Sequence, residues 1–347
     1  MNFLEFYGLK EDPFKLSPDP SYFYPTACHR VASDSLDYAV EHKEGFCLVY
    51  GEPGTGKTTV LKVFMDKWKD RAEIALILTP RLSAEEFLMA VLDELNIESQ
   101  GVGKVHLLKA FRDFLLDKSS VKRPVVIIVD EAQNMPDETL EELRLLSNFE
   151  TEKEKLLQII LVGQPEIEQK LKKENLKQLD QRIMVRARLK PLNHDEIVGY
   201  INHRLIMAGK GHLKLDGRIV NLVFKFSQGI PRLINVIASR TLMSAYLEGQ
   251  NTVTPKHVKY AMDHLDGSER EGTLGRRTIA LYASVIGAAF ALTLLIGYML
   301  MPSNDEEAAR AASAGAPPSV SAGAGPSDPP AELPVHIKGK TEKRRAD

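Results

Sequence analysis

Cysteine is scarce in this chain: 347 residues contain two, Cys28 and Cys47, with no Cys-x-x-Cys pair. No Cys/His cluster points to zinc, and the two read as buried or half-buried thiols in a reducing cytosol. Cys28 is expected in an N-terminal loop, and Cys47 in the apolar run Phe46-Cys-Leu-Val-Tyr50. An excess of one charge sign is also missing. Charged residues are 27% of the chain and leave a formal net charge of -2, which argues against nucleic acid as the main partner. Residues 1–14 lack the basic start and unbroken apolar stretch of a signal peptide, since Glu5, Lys10, Glu11 and Asp12 fall within them. The first domain is therefore expected to stay in the cytosol.

Apolar residues are plentiful. At 44% hydrophobic content, the chain is long enough for two packed domains with a sizeable core. One run stands apart: residues 278–301, TIALYASVIGAAFALTLLIGYMLM, carry no charge. At ~1.5 Å per residue a helix there is about 36 Å long, enough to cross a hydrocarbon core of about 30 Å with some tilt. Arg270, Arg276 and Arg277 precede the run and Asp305, Glu306 and Glu307 follow it, so the positive-inside rule keeps the globular part cytoplasmic and sends the tail out. Residues 302–347, dominated by Ala, Ser, Gly and Pro, cannot bury enough apolar surface to offset ordering entropy and are expected to be disordered.

Before residue 191, short apolar runs alternate with helical patterns. Strands are predicted at 46–50, 74–79, 125–130, 159–162 and 184–189, with helices at 58–68, 84–95, 105–117, 137–149 and 165–172. Such alternation predicts a parallel sheet covered on both faces. After Pro191 only helical patterns remain, at 195–207, 216–227, 231–247 and 255–264. They predict a small helical bundle.

Gly51-Glu52-Pro53-Gly54-Thr55-Gly56-Lys57-Thr58, followed by Thr59, matches the phosphate-loop pattern G-x-x-x-x-G-K-[ST] in full, with a strand before and a helix after. Glycines let backbone N–H groups wrap phosphates, and the helix adds its positive end. Lys57 is expected on the β- and γ-phosphates of ATP and the Thr58 hydroxyl on Mg²⁺. Val125-Val-Ile-Ile-Val129 then delivers Asp130 and Glu131 to the edge where α/β sheets bind ligands. Asp130 suits the Mg²⁺ shell, and Glu131 the base that polarises water. An apolar strand ending in Asp-Glu is common by itself and becomes diagnostic downstream of a phosphate loop. Gln164, ending the next apolar strand, is a candidate to orient the attacking water; capping a turn is its alternative role. Arg182 precedes the last strand, where an oligomeric ATPase would present an arginine to its neighbour's nucleotide, with Arg186 and Arg188 as rivals; a surface charge is the alternative role of all three. Arg232, in Gly229-Ile-Pro-Arg232, opens a bundle helix from which it could reach the γ-phosphate.

The order of these elements resembles an AAA+ ATPase. More narrowly, Phe6-Tyr-Gly-Leu-Lys-Glu-Asp-Pro-Phe14, Ser17-Pro-Asp-Pro20, Leu143-Arg-Leu-Leu-Ser-Asn148 and Val162-Gly-Gln-Pro-Glu166 resemble the ExeA/GspA family of general secretion pathway protein A. That resemblance, taken with the patterns above, gives an α/β P-loop NTPase parallel-sheet domain over 1–190, an all-α lid over 191–265, a linker over 266–277, one transmembrane helix over 278–301 and, from composition alone, a disordered tail over 302–347. It implies an inner-membrane ATPase, single-pass, with a periplasmic tail, that uses Mg-ATP to assemble or remodel a secretion machine. It names Arg182 and Arg232 for the roles above and places Phe6–Pro20 near the adenine. Self-association and envelope secretion or export proteins are the implied partners. Members with the secretion role carry a peptidoglycan-binding domain after the span; here low-complexity sequence follows, which puts direct cell-wall binding in doubt. Pilus biogenesis, polysaccharide export and a DNA-handling, transposition-type ATPase are the alternatives.

Overall fold

The structure is a computed structural model that describes residues 2–98, 103–152, 154–209, 211 and 213–265. The expected linker, membrane helix and tail (266–347) lie outside the described residues. Among the described residues no helix is long and apolar enough to cross a membrane.

Five strands, β1 (Phe46–Gly51), β2 (Glu73–Ile77), β3 (Val125–Val129), β4 (Leu157–Gly163) and β5 (Ile183–Leu189), form one sheet in the order β2-β3-β4-β1-β5. Every pairing is parallel. Side chains alternate across the pleat. Phe46, Leu48, Ile127, Ile159 and Leu161 enter one core, and Cys47, Val49, Ile128, Ile160 and Val162 enter the other. Both faces of β1, β3 and β4 are thus dry, as their unbroken apolar runs require. Each such side chain contributes about 1.5–3 kcal/mol by leaving water.

Among the described residues, eleven α-helices and a further helical run at 255–265 accompany the sheet. α1 is Phe3–Tyr7 and α2 is Ala27–Glu41; α3 (Lys57–Trp68) packs beside α2 on one face. Asp37 of α2 accepts from Trp68 Nε1 at 2.7 Å and so fixes α3, the helix that follows the phosphate loop. α4 (Ala84–Glu94), α5 (Lys104–Ser120), α6 (Asp137–Leu146), α7 (Glu166–Leu171) and α8 (Lys177–Arg182) supply the opposite core. α9 (His194–Met207), α10 (Gly217–Ser227), α11 (Pro231–Leu247) and the run 255–265 build a separate helical cluster.

All five predicted strands are present, each with an end shifted by one or two residues. β2 starts one residue early because Glu73 N–H donates to Pro124 O at 2.9 Å and its carboxylate pairs with Lys118 and Arg123. Cys28 requires a correction: it lies in α2, half-buried, rather than in a loop. Phe6–Phe14 requires another. Phe3 and Phe6 set their rings edge-on to Tyr246, Tyr7 Oη donates to Leu242 O at 2.9 Å, and Leu9 and Phe14 join the helical cluster. Those residues clamp the chain's start onto the helices after 191, and only the stretch from Lys15 onward reaches the cavity described below.

The turn between α10 and α11 needs its glycine. Gly229 has φ +78, and a Cβ there would fall 2.1 Å from Leu192 O. Leu192 N–H donates back to Gly229 O at 2.8 Å, so the two backbones touch and aim the start of α11 at the sheet.

Candidate nucleotide-binding site

The phosphate loop leaves the end of β1, which lies between β4 and β5. Gly54 (φ +82) and Gly56 (φ +97) take left-handed conformations open to glycine. No side chain caps the N-terminus of α3, so its first-turn N–H groups form an anion-seeking end. Thr55 closes the loop internally, donating from Oγ1 to Glu52 O at 2.8 Å.

Lys57 is buried, and its Nζ donates to Gly51 O at 2.8 Å and Glu52 O at 3.1 Å. Burial pushes its ammonium below the ordinary value, while the charges of Glu131 and Asp130 oppose that shift. Thr58 Oγ1 donates to Asp130 Oδ2 at 3.4 Å. Asp130 is 6% exposed; burial pushes its carboxyl upward, against the Glu131 N–H that donates to Oδ1 at 2.9 Å. A hydroxyl and a carboxylate side by side at the phosphate loop are hard oxygen donors of the kind Mg²⁺ takes, so these residues fit that ion.

Glu131 has φ +54, unusual for a residue with a side chain. Its Oε2 accepts from Gln164 Nε2 at 3.0 Å and from Gln133 Nε2 at 2.6 Å. The two strand ends chosen from sequence therefore meet through their side chains.

A cavity of about 470 Å³ lies over the loop. Such a volume suits a ligand of nucleotide size. Its walls bring together Pro53, Gly54, Thr55, Gly56, Lys57, Thr58, Thr59, Glu131, Gln164 and Arg232. Arg232 arrives from the helical cluster, and its N–H donates to Gly54 O at 3.2 Å. A Cβ on Gly54 would stand 2.7 Å from Arg232 Cβ, so loop and helix are in direct contact.

Arg182 is elsewhere. Its Nη1 donates to Arg144 O at 3.0 Å, Ser147 Oγ at 2.8 Å and Asn148 Oδ1 at 2.8 Å, around the C-terminal end of α6. A cation is favoured there by the helix dipole. Arg186, its rival, is held by Asp180 at 2.8 Å.

Sequence reasoning missed the cavity's other wall. His29 of α2, buried, donates from Nε2 to Thr55 O at 2.9 Å, with its Nδ1 2.6 Å from Thr26 Oγ1. From the helical cluster come Tyr200, Arg204 and Asn235. Arg204 Nη1 donates to Tyr200 Oη at 3.1 Å, which donates to Asn235 Oδ1 at 2.8 Å. The Arg204 guanidinium also lies 4.8 Å from the centre of the Tyr22 ring. No motif marks these residues; on helical patterns they look like ordinary core-facing positions.

Residues 40–171 match the family described as AAA domain. General secretion pathway protein A of Aeromonas hydrophila is 38% identical over 272 residues, covering 78% of this chain and 50% of that protein. The chain thus spans about half the length of that curated relative. Among solved structures, Cdc6p of Pyrobaculum aerophilum superposes with a TM-score of 0.56 at 18% identity, over 74% of this chain and 71% of that one. The ORC2 protein of Aeropyrum pernix, solved as ADPNP-ADP complexes, gives 0.51 at 16% identity, over 67% and 66%. At such identities these structures speak for the fold alone.

Proposed function

We propose that this chain, an ExeA/GspA-like AAA ATPase, binds Mg-ATP in the cavity over residues 51–59 and hydrolyses it as an oligomer at the bacterial inner membrane. One observation carries the reading: Lys57, Thr58, Glu131, Gln164 and Arg232 converge on a single cavity, with Asp130 bonded to Thr58. In this reading Lys57 and the loop N–H groups hold the phosphates. Thr58 and Asp130 would hold Mg²⁺, which when bound would neutralise charge on the phosphates. Glu131 takes the proton of the attacking water, and Gln164 orients the groups around it. Arg232, touching Gly54 through its backbone, links the position of the helical cluster to the state of the loop. Arg182, bonded outside its own cavity, is the residue for a neighbour's nucleotide.

The domain partition that goes with this is an α/β domain over 1–190 and a lid over 191–265, tethered by a membrane helix at 278–301 with the tail on the far side. The task is assembly or remodelling of a cell-envelope machine, most directly one of the general secretion kind, as the named relative suggests.

Lys57→Ala tests the site. Loss of a charge-assisted contact to phosphate should weaken ATP binding roughly 10- to 100-fold. Titration with a fluorescent ATP analogue measures it, and wild-type affinity would refute the assignment. Topology is tested by a reporter fused after Ala331: an enzyme that works only in the periplasm should be active there. Activity restricted to a cytosolic reporter at the same place would overturn the orientation.

A further inference from the structure

We infer that Gln133 is a positioning residue for hydrolysis, which holds the Glu131 carboxylate in place by closing a three-residue ring with Gln164. The inference rests on the reading of Glu131 as base and adds a residue to it. A glutamine amide offers one acceptor oxygen and one donor nitrogen. Both are committed here. Oε1 accepts the Gln164 backbone N–H at 3.0 Å, and Nε2 donates to Glu131 Oε2 at 2.6 Å. Gln164 completes the ring, donating from its own Nε2 to the same Glu131 oxygen at 3.0 Å.

Several features of the fold support this small ring. Glu131 and Gln164 line the cavity and Gln133 does not, so Gln133 acts from behind its neighbours. Gly163 leaves room for it, since a Cβ there would stand 2.8 Å from Gln133 Oε1. Lys170 of α7 donates from Nζ to Gln133 O at 3.3 Å and also to Met135 O, which fixes the backbone that carries the amide. The left-handed backbone at Glu131 persists only where its surroundings hold it. Two N–H groups on one carboxylate oxygen stop the side chain rotating, and a base must be held to act on a water in one geometry.

A competing role is purely structural: Gln133 could serve only to satisfy the Gln164 N–H at the end of β4. Two variants of the full-length chain separate the roles. Gln133→Met removes both hydrogen bonds at similar volume. Gln133→Glu keeps an oxygen for the Gln164 N–H but turns a second carboxylate toward Glu131. Turnover is read by phosphate release and affinity by a fluorescent ATP analogue. A positioning role predicts that both variants lower kcat roughly 10- to 100-fold while nucleotide affinity changes less than about threefold. Wild-type kcat in Gln133→Met, or in Gln133→Glu alone, overturns the inference, as does a loss of affinity equal to the loss of turnover.

Failure of the underlying reading looks different. Glu131→Gln at the wild-type rate would remove Glu131 as base whatever Gln133 does. Should the wild-type chain hydrolyse no ATP, a crystal structure of Gln133→Met decides. Displacement of Glu131 away from Gln164 Nε2 supports the holding role, and retention of the 3.0 Å contact overturns it.

Discussion

Glu131→Gln is expected to bind ATP as the wild-type chain does and to turn it over ~10²–10⁴ times more slowly, the usual contribution of a general base. That loss corresponds to about 2.7–5.5 kcal/mol of barrier. The substitution is a clean one here because of the ring around the side chain. Glu131 Oε2 accepts from Gln133 Nε2 and Gln164 Nε2. A glutamine carbonyl oxygen can accept the same two N–H groups, so shape and contacts survive and basicity alone is lost. The phosphate-holding residues lie on the loop and α3, and Glu131 touches them only through charge on Lys57. Nucleotide affinity should therefore change little. Equilibrium binding and single-turnover phosphate release on the same preparation give the two numbers. A wild-type rate would show that another group takes the proton.

The parts of this molecule that were legible in the sequence are those encoded by adjacent residues. The apolar runs of β1, β3 and β4 read as buried strands, and the phosphate loop is a contiguous string whose strand and helix context is also contiguous. α2 was missed because its buried face is built from His29, Ala32, Leu36, Ala39 and Val40, with one polar residue and two alanines too small to stand out among Ser33, Asp34 and Ser35. α8 offers one buried residue, Leu179, in six, too little for a period to register. The far wall of the cavity was out of reach for a different reason. Arg204 meets Lys15 O across 189 residues, and His29 meets Thr55 across 26; no local pattern encodes such contacts. The resemblance brought the N-terminal segment near the nucleotide, and packing divided it, with Phe6–Phe14 on the helical cluster and Lys15 onward at the cavity.

Arg182→Ala carries the largest expected effect. Given its proposed role on a neighbour's nucleotide, its loss should leave ATP affinity nearly intact and depress turnover ~10³–10⁵-fold, as loss of an arginine finger does. The structure adds a complication that the experiment must meet. Within its own chain Arg182 ties Arg144 O, Ser147 Oγ and Asn148 Oδ1 together, so its removal also costs about 1–3 kcal/mol of local stability. A loss of turnover alone could then reflect a loosened α6. Mixing distinguishes the two. An oligomer of Arg182→Ala subunits has no finger, and one of Glu131→Gln subunits has no base. In mixtures, a site on an Arg182→Ala subunit that faces a Glu131→Gln neighbour has an intact base and an intact finger. Activity above the sum of the parts, with specific activity that rises with protein concentration, is the expected result. A loosened α6 cannot be repaired by a neighbour that contributes only an arginine to the shared site. Mixtures no better than their components, once subunit exchange is demonstrated by labelled subunits, would confine Arg182 to its bonds at the end of α6.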